Sequence, residues 1–181
     1  MREREFQGEI TRSIKAMFPD AYYYKIPDMQ PPRKECLQCK KVKVVPRPIK
    51  RPFDCELYHN GVLYAFELKL VTRPAPFVVK RVAEHQIENL KRVKNNGGYG
   101  SIIIGLRFEG IIKAYVIDVD DWVNLVSEYR AVYGRKSIPI NHFLNGRSMM
   151  TPLPRKRLAE KVSGWDMAHA MITIHEQRKS A

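Results

Sequence analysis

Asp54, Glu67 and Lys69 are the residues of this chain whose types and spacing could do chemistry. Side chains alternate across a strand, so in the stretch VLYAFELKLV Glu67 and Lys69 share one face, while Leu68 and Leu70 take the other. The stretches FDCELYH and VLYAFELKLV flank Asn60-Gly61, a strong hairpin-turn signal, which lays Asp54 on the adjoining strand near its outer end. Two carboxylates, with the Leu68 backbone carbonyl turned to the same point, make a hard-oxygen site of the kind that holds Mg²⁺, with Mn²⁺ as a substitute. A lysine beside that centre can orient or help deprotonate a water, or counter charge on a phosphate in the transition state. The chemistry this composition suits is phosphodiester hydrolysis. A solvated Glu/Lys ladder on a surface strand has the same spacing, so the motif alone leaves both readings open.

The elements that must position these groups follow from periodicity. Residues 2–18 read as a helix with Phe6, Ile10, Ile14 and Met17 at helical spacing, ended by Pro19-Asp20. AYYYKI (21–26) reads as a short aromatic strand. Residues 27–52 hold six prolines and many bases and read as an extended loop or protrusion. A helix is expected over about 78–95, with Val82, Ile87, Leu90 and Val93 inward and Asn95-Asn96-Gly97-Gly98 as its stop. YGSIIIGLRF and GIIKAYVID read as neighbouring strands. The order α-β-β-β-α-β-β predicts an α/β fold, a mixed sheet flanked by helices. Beyond Asp118, VDDWVNLVSEYRAVY reads as helix, GRKSIPINHFLNG as a loop with a short turn, and 155–177 as helix again. The expected division is a domain over 1–145, carrying the basic protruding loop 28–52, and a helical extension over 146–181.

Composition narrows the partners. Lys and Arg total 32 against 19 acids, a formal net charge of +13. A basic chain of this size points to a polyanion, nucleic acid first. No apolar run approaches the roughly 18–20 residues of a membrane span, and no long basic amphipathic helix suggests a membrane surface. The charged start MREREFQGEI has no secretory hydrophobic region, so the expected compartment is the cytoplasm, a host's if the chain is phage-encoded. Cys36-Leu-Gln-Cys39 is half of a zinc knuckle, with Cys55 a poor third ligand because it adjoins Asp54; a zinc shared between subunits and two plain thiols are both open.

The wider sequence carries a resemblance. Asp54 followed by Glu67-Leu68-Lys69 resembles the D-(12 residues)-E-x-K arrangement of the PD-(D/E)xK nucleases, with the proline displaced to Pro52-Phe53-Asp54. HQIENLKRVKNNGGYGSIIIGLRF (85–108) and GRKSIP (134–139) resemble segments of the RecU-type Holliday junction resolvases, and the chain is more loosely similar to the archaeal resolvases. The similarity covers roughly residues 1–145; the Cys36/Cys39 loop and the tail after 145 fall outside it. It implies a restriction-endonuclease-like sheet in which Asp54 and Glu67 bind metal, Lys69 is the catalytic lysine, Gln86 lies beside the site and His85 touches a phosphate. Such nucleases add an acid from the first helix. Glu3 lies in line with Phe6, Ile10 and Ile14, Glu9 sits about a quarter turn off as the alternative, and Glu5 is expected in solvent.

What the resemblance implies is a Mg²⁺-dependent endonuclease that cuts DNA four-way junctions by paired symmetric nicks, leaving 5′-phosphate and 3′-hydroxyl ends, and works as a homodimer. AYYYKI and the C-terminal helices offer dimer surface, and 28–52 resembles in position the stalk of RecU-type enzymes. The expected DNA contacts are Lys25, Arg33, Lys34, Arg47, Lys50, Arg51, Arg73, Lys80, Arg81 and His85. The competing readings are a general nuclease of the same superfamily, trimming ends, nicking or restricting, and a basic DNA-binding protein whose E-x-K is idle.

Overall fold

A computed structural model describes residues 1–27, 33–35, 39, 42–44, 50–145 and 150–179. Helices are α1 (Glu3–Met17), α2 (Glu84–Asn95), α3 (Val119–Ala131), α4 (Ile140–Leu144) and α5 (Met167–Lys179). The strands are β1 (Tyr22–Lys25), β2 (Arg33–Glu35), β3 (Val42–Val44), β4 (Cys55–His59), β5 (Val62–Val71), β6 (Phe77–Val78), β7 (Tyr99–Phe108), β8 (Ile111–Asp118), β9 (Ser137–Ile138), β10 (Met150–Leu153), β11 (Arg155–Ala159) and β12 (Val162–Trp165). Six of them form a mixed sheet in the order β1-β4-β5-β7-β8-β10, in which β5 and β7 run parallel and the other pairs antiparallel. The expected α/β architecture, a mixed sheet between helices, is what the chain adopts.

The centre of the sheet is apolar on both faces, as a strand pair covered by helices requires. On β7, Ile103 joins the core with Phe6, Ile10 and Ile14 of α1 and Met171 and Ile174 of α5. Its neighbours Ile102 and Ile104 join Leu90 of α2 and Trp122 and Leu125 of α3 on the opposite side. The β4–β5 hairpin closes at Asn60-Gly61, both at positive φ (50° and 77°), the left-handed pair that a two-residue turn demands. That turn sets the register in which Cys55 faces Phe66.

Three expectations change. The helix expected over 78–95 begins only at Glu84, because Phe77–Val78 pairs with Ser137–Ile138 and a 3₁₀ turn covers Val79–Arg81. The helix expected over 155–177 is corrected: Arg155–Ala159 and Val162–Trp165 form a hairpin, and only α5 is helical. Lys, Arg, Leu, Ala and Glu are all good helix formers, but docking on α1 overrides their propensity. Trp165 N–H donates to Ser13 Oγ (2.8 Å), and a Cβ on Gly164 would stand 2.3 Å from that oxygen, so the strand lies against the helix where only glycine fits. Finally, β10 lies past residue 145 yet pairs with β8 in the central sheet.

Candidate active site

Asp54 directly precedes β4 and is fixed on both sides by backbone hydrogen bonds. Its N–H donates to Phe66 C=O (3.1 Å), and its own carbonyl accepts from Ile26 N–H (2.9 Å). The residue is 2% exposed. Oδ2 accepts from Leu68 N–H at 2.9 Å, and Oδ1 lies 3.1 Å from Arg51 Nη1. By strand alternation Asp54 shares a sheet face with Glu67 and Lys69, while Cys55, Phe66, Leu68 and Leu70 pack into the core beneath α1.

Glu67 is fully buried. Lys69 Nζ stands 2.5 Å from its Oε1. Among the described residues neither carboxylate oxygen has a well-aligned hydrogen bond, so with Oε1 in that ion-pair contact, Oε2 is a buried oxygen without a partner there. Burial first, then the adjacent Asp54, push Glu67 up to about 7, against the opposing pull of Lys69 and Arg51. A fully buried carboxylate with an unanswered oxygen is costly unless something electropositive completes it.

Asp54 and Lys69 open onto a cleft of about 680 Å³ that Glu3, Arg4, Gln7, Lys25, Pro27 and Arg51 also line. Glu3 is brought there by the N-terminus of α1 and held by Arg81, whose Nη2 lies 3.5 Å from Glu3 Oε2 and donates to Leu70 C=O at 2.8 Å. Glu9 does not line the cleft; its Oε2 accepts from Trp165 Nε1 (3.0 Å) and Arg155 Nη1 (2.9 Å) and ties α1 to the β11–β12 hairpin. Glu5 accepts from Arg2 N–H at the exposed helix end. Arg4 and Gln7 were not foreseen, although Gln7 stands four residues after Glu3 on the same helical face.

Gln86 is buried in the first turn of α2, its Oε1 accepting from Ala83 N–H (2.9 Å) as a helix cap. His85 is half-buried beside it. Of the expected DNA contacts, Lys25 and Arg51 reach the cleft, Arg81 braces Glu3, Lys50 and Arg73 are exposed, and Lys80 lines a separate groove between α2 and α3. Arg33 and Lys34 lie on β2, which pairs with β3; Arg47 lies outside the described residues. Cys36 also lies outside them, Cys39 is exposed, and burial pushes the Cys55 thiol up to about 12. Among the described residues no three His, Cys, Asp or Glu side chains are grouped to hold a metal ion. A metal here would therefore draw on the two carboxylates Asp54 and Glu67, the Leu68 carbonyl and water, and the orphaned oxygen of Glu67 fits that donor set.

A mixed sheet that carries an aspartate and a Glu-x-Lys on one face, with the lysine against the glutamate, is the arrangement of a PD-(D/E)xK nuclease. The family model of Recombination protein U (RecU) matches residues 54–154, more than half of the chain and all three of these residues. The chain belongs to the RecU family, a family of Holliday junction resolvases. Among solved structures it is similar to the Holliday junction resolvase Hjc of the archaeal hyperthermophile Archaeoglobus fulgidus, at 11% identity and a TM-score of 0.35 over 67% of this chain and 75% of that one. No curated protein matches the chain in sequence. No helix among the described residues is long and apolar enough to cross a membrane.

Proposed function

We propose that the protein is a divalent-metal-dependent endonuclease that resolves DNA four-way junctions by paired symmetric nicks, leaving 5′-phosphate and 3′-hydroxyl ends. The observation that carries this reading is the buried, unpartnered oxygen of Glu67, set beside Asp54 and Lys69. Asp54, Glu67 and the Leu68 carbonyl would hold Mg²⁺, with Mn²⁺ able to replace it. When bound, such an ion supplies charge neutralisation at the phosphate and a more acidic water.

The chain's own residues do the rest. Leu68 N–H keeps Asp54 Oδ2 in place, so the carboxylate is oriented before any ligand arrives. Lys69, anchored on Glu67, presents an ammonium to the cleft, where it orients the attacking water and offsets negative charge growing on the phosphate. Glu3 adds a third acid at the cleft rim, fixed by Arg81. Gln86 spends its carbonyl oxygen on the helix cap, which leaves its amide N–H₂ to donate. Lys25, Arg33, Lys34, Arg47, Lys50, Arg51, Arg73, Lys80 and His85 supply phosphate contacts, which set affinity rather than sequence choice. A junction has two symmetric strands to cut, so two copies acting as a homodimer supply the paired sites.

The test is a synthetic four-way junction labelled on each strand in turn, incubated with the protein and Mg²⁺, beside a linear duplex of the same sequence. Paired nicks at symmetry-related positions, with little cutting of the duplex, are expected. Equal cutting of both substrates would reduce the protein to a general nuclease of the superfamily.

A further inference from the structure

Three large aromatic side chains lie open on the same face of the sheet as Asp54, Glu67 and Lys69. β1 is the edge strand, and its register on β4 sets Tyr22 opposite Tyr58 and Tyr24 opposite Glu56. Alternation places Tyr22, Tyr24, Glu56 and Tyr58 on the face that carries Asp54, while Tyr23 turns the other way and its hydroxyl meets Thr11. Tyr22, Tyr24 and Tyr58 are 59%, 44% and 50% exposed. At the strand rise, Tyr24 lies about 7 Å along the sheet from the level of Asp54, and the Tyr22–Tyr58 pair about 13 Å. Exposed aliphatic residues such as Ile111, Val132, Val162 and Ile172 fall on four separate elements or turns; these tyrosines stand in register on two adjacent strands.

We propose that Tyr22, Tyr24 and Tyr58 form a stacking platform for unpaired bases of the DNA whose backbone occupies the cleft. The proposal rests on the nuclease reading of that cleft. Every base has a π-face, so an aromatic surface beside a cationic groove holds single-stranded or unstacked nucleotides without reading sequence. The charge on the page fits that occupant. Arg51 stands against Asp54 at the cleft, and Arg92 lines the hollow on the other side, beside Leu63, the partner of Tyr58. Glu56 repels phosphates between the two cationic borders and can accept a hydrogen bond from a base N–H, so it favours bases over backbone at that point.

The test uses the full chain with metal chelated, so that binding is read without cutting. Affinities for a twenty-nucleotide oligo-dT and for a fully paired duplex of equal length are measured by fluorescence anisotropy. The proteins compared are wild type, the triple variant Tyr22→Ser/Tyr24→Ser/Tyr58→Ser, and the matching triple Phe variant. The Ser variant should lose about 5- to 150-fold on oligo-dT for each base stacked, a larger loss than on duplex, and the Phe variant should keep the wild-type affinity. Unchanged oligo-dT binding by the Ser variant, or an equal loss on both DNAs, overturns the platform. So does light scattering that shows the Ser variant, and not the Phe variant, falling from dimer to monomer, because a second copy then covers this face. The nuclease reading fails separately, if wild type with Mg²⁺ never cuts any junction while its tyrosine-dependent oligo-dT binding persists.

Discussion

The lysine–carboxylate cluster on β5 contrasts with the one carried by α2. At its C-terminal end Lys94 Nζ stands 2.6 Å from Asp118 Oδ1 and 2.7 Å from Asp120 Oδ2, and Asp118 also accepts from Asp120 N–H to cap α3. Each of those carboxylates meets a cation or a backbone donor. Burial pulls the Lys94 ammonium down, but the hydrogen bonds to Asp118 and Asp120 outweigh it and leave it raised. On β5, Lys69 meets one oxygen of Glu67 and, among the described residues, leaves the second, fully buried, without a partner. The α2 cluster joins two helices. The β5 cluster carries a cost that a bound cation would remove.

Breaking each cluster should therefore read out differently. Lys69→Ala should cut the rate of junction cleavage about 10²- to 10⁴-fold in a single-turnover assay with Mg²⁺, while junction binding persists. Persistent cutting would return the E-x-K to a surface ladder. The next effect is on stability. Because the fold raises Glu67 to about 7 from its ordinary 4.5, it favours the protonated acid, so the metal-free protein holds this contribution below pH 4.5 and loses it as pH rises through 7. That loss is about 3 kcal/mol. Thermal melts in chelator at pH 5 and pH 8 should show a drop for wild type that Glu67→Gln largely lacks, and a drop of equal size in both would detach it from this residue. Smallest is Lys94→Ala, which leaves Asp118 without its cation and should cost roughly 1–3 kcal/mol in a denaturant melt, with cleavage per folded molecule kept.

The legible part of the site was local. Asn60-Gly61 fixed the hairpin, alternation put Glu67 and Lys69 on one face, and the helical wheel set Glu3 in line with the apolar stripe of α1, at the end that lines the cleft. The illegible part came from distant partners. Glu9 is bound by Trp165 and Arg155, about 150 positions away, and nothing near Glu9 announces them. The same docking turned 155–165 from a helix-forming stretch into a hairpin. Arg51 resting on Asp54 was hidden in another way: in a proline-rich segment no regular period says which base turns inward.

The central claim is that the unanswered oxygen of Glu67 belongs to a divalent cation, and calorimetric titration of Mn²⁺ into the metal-free protein at pH 8 tests it most directly. Wild type should bind, and Glu67→Gln should bind at least about 10-fold more weakly. Equal binding by both proteins would place the ion elsewhere and contradict the account.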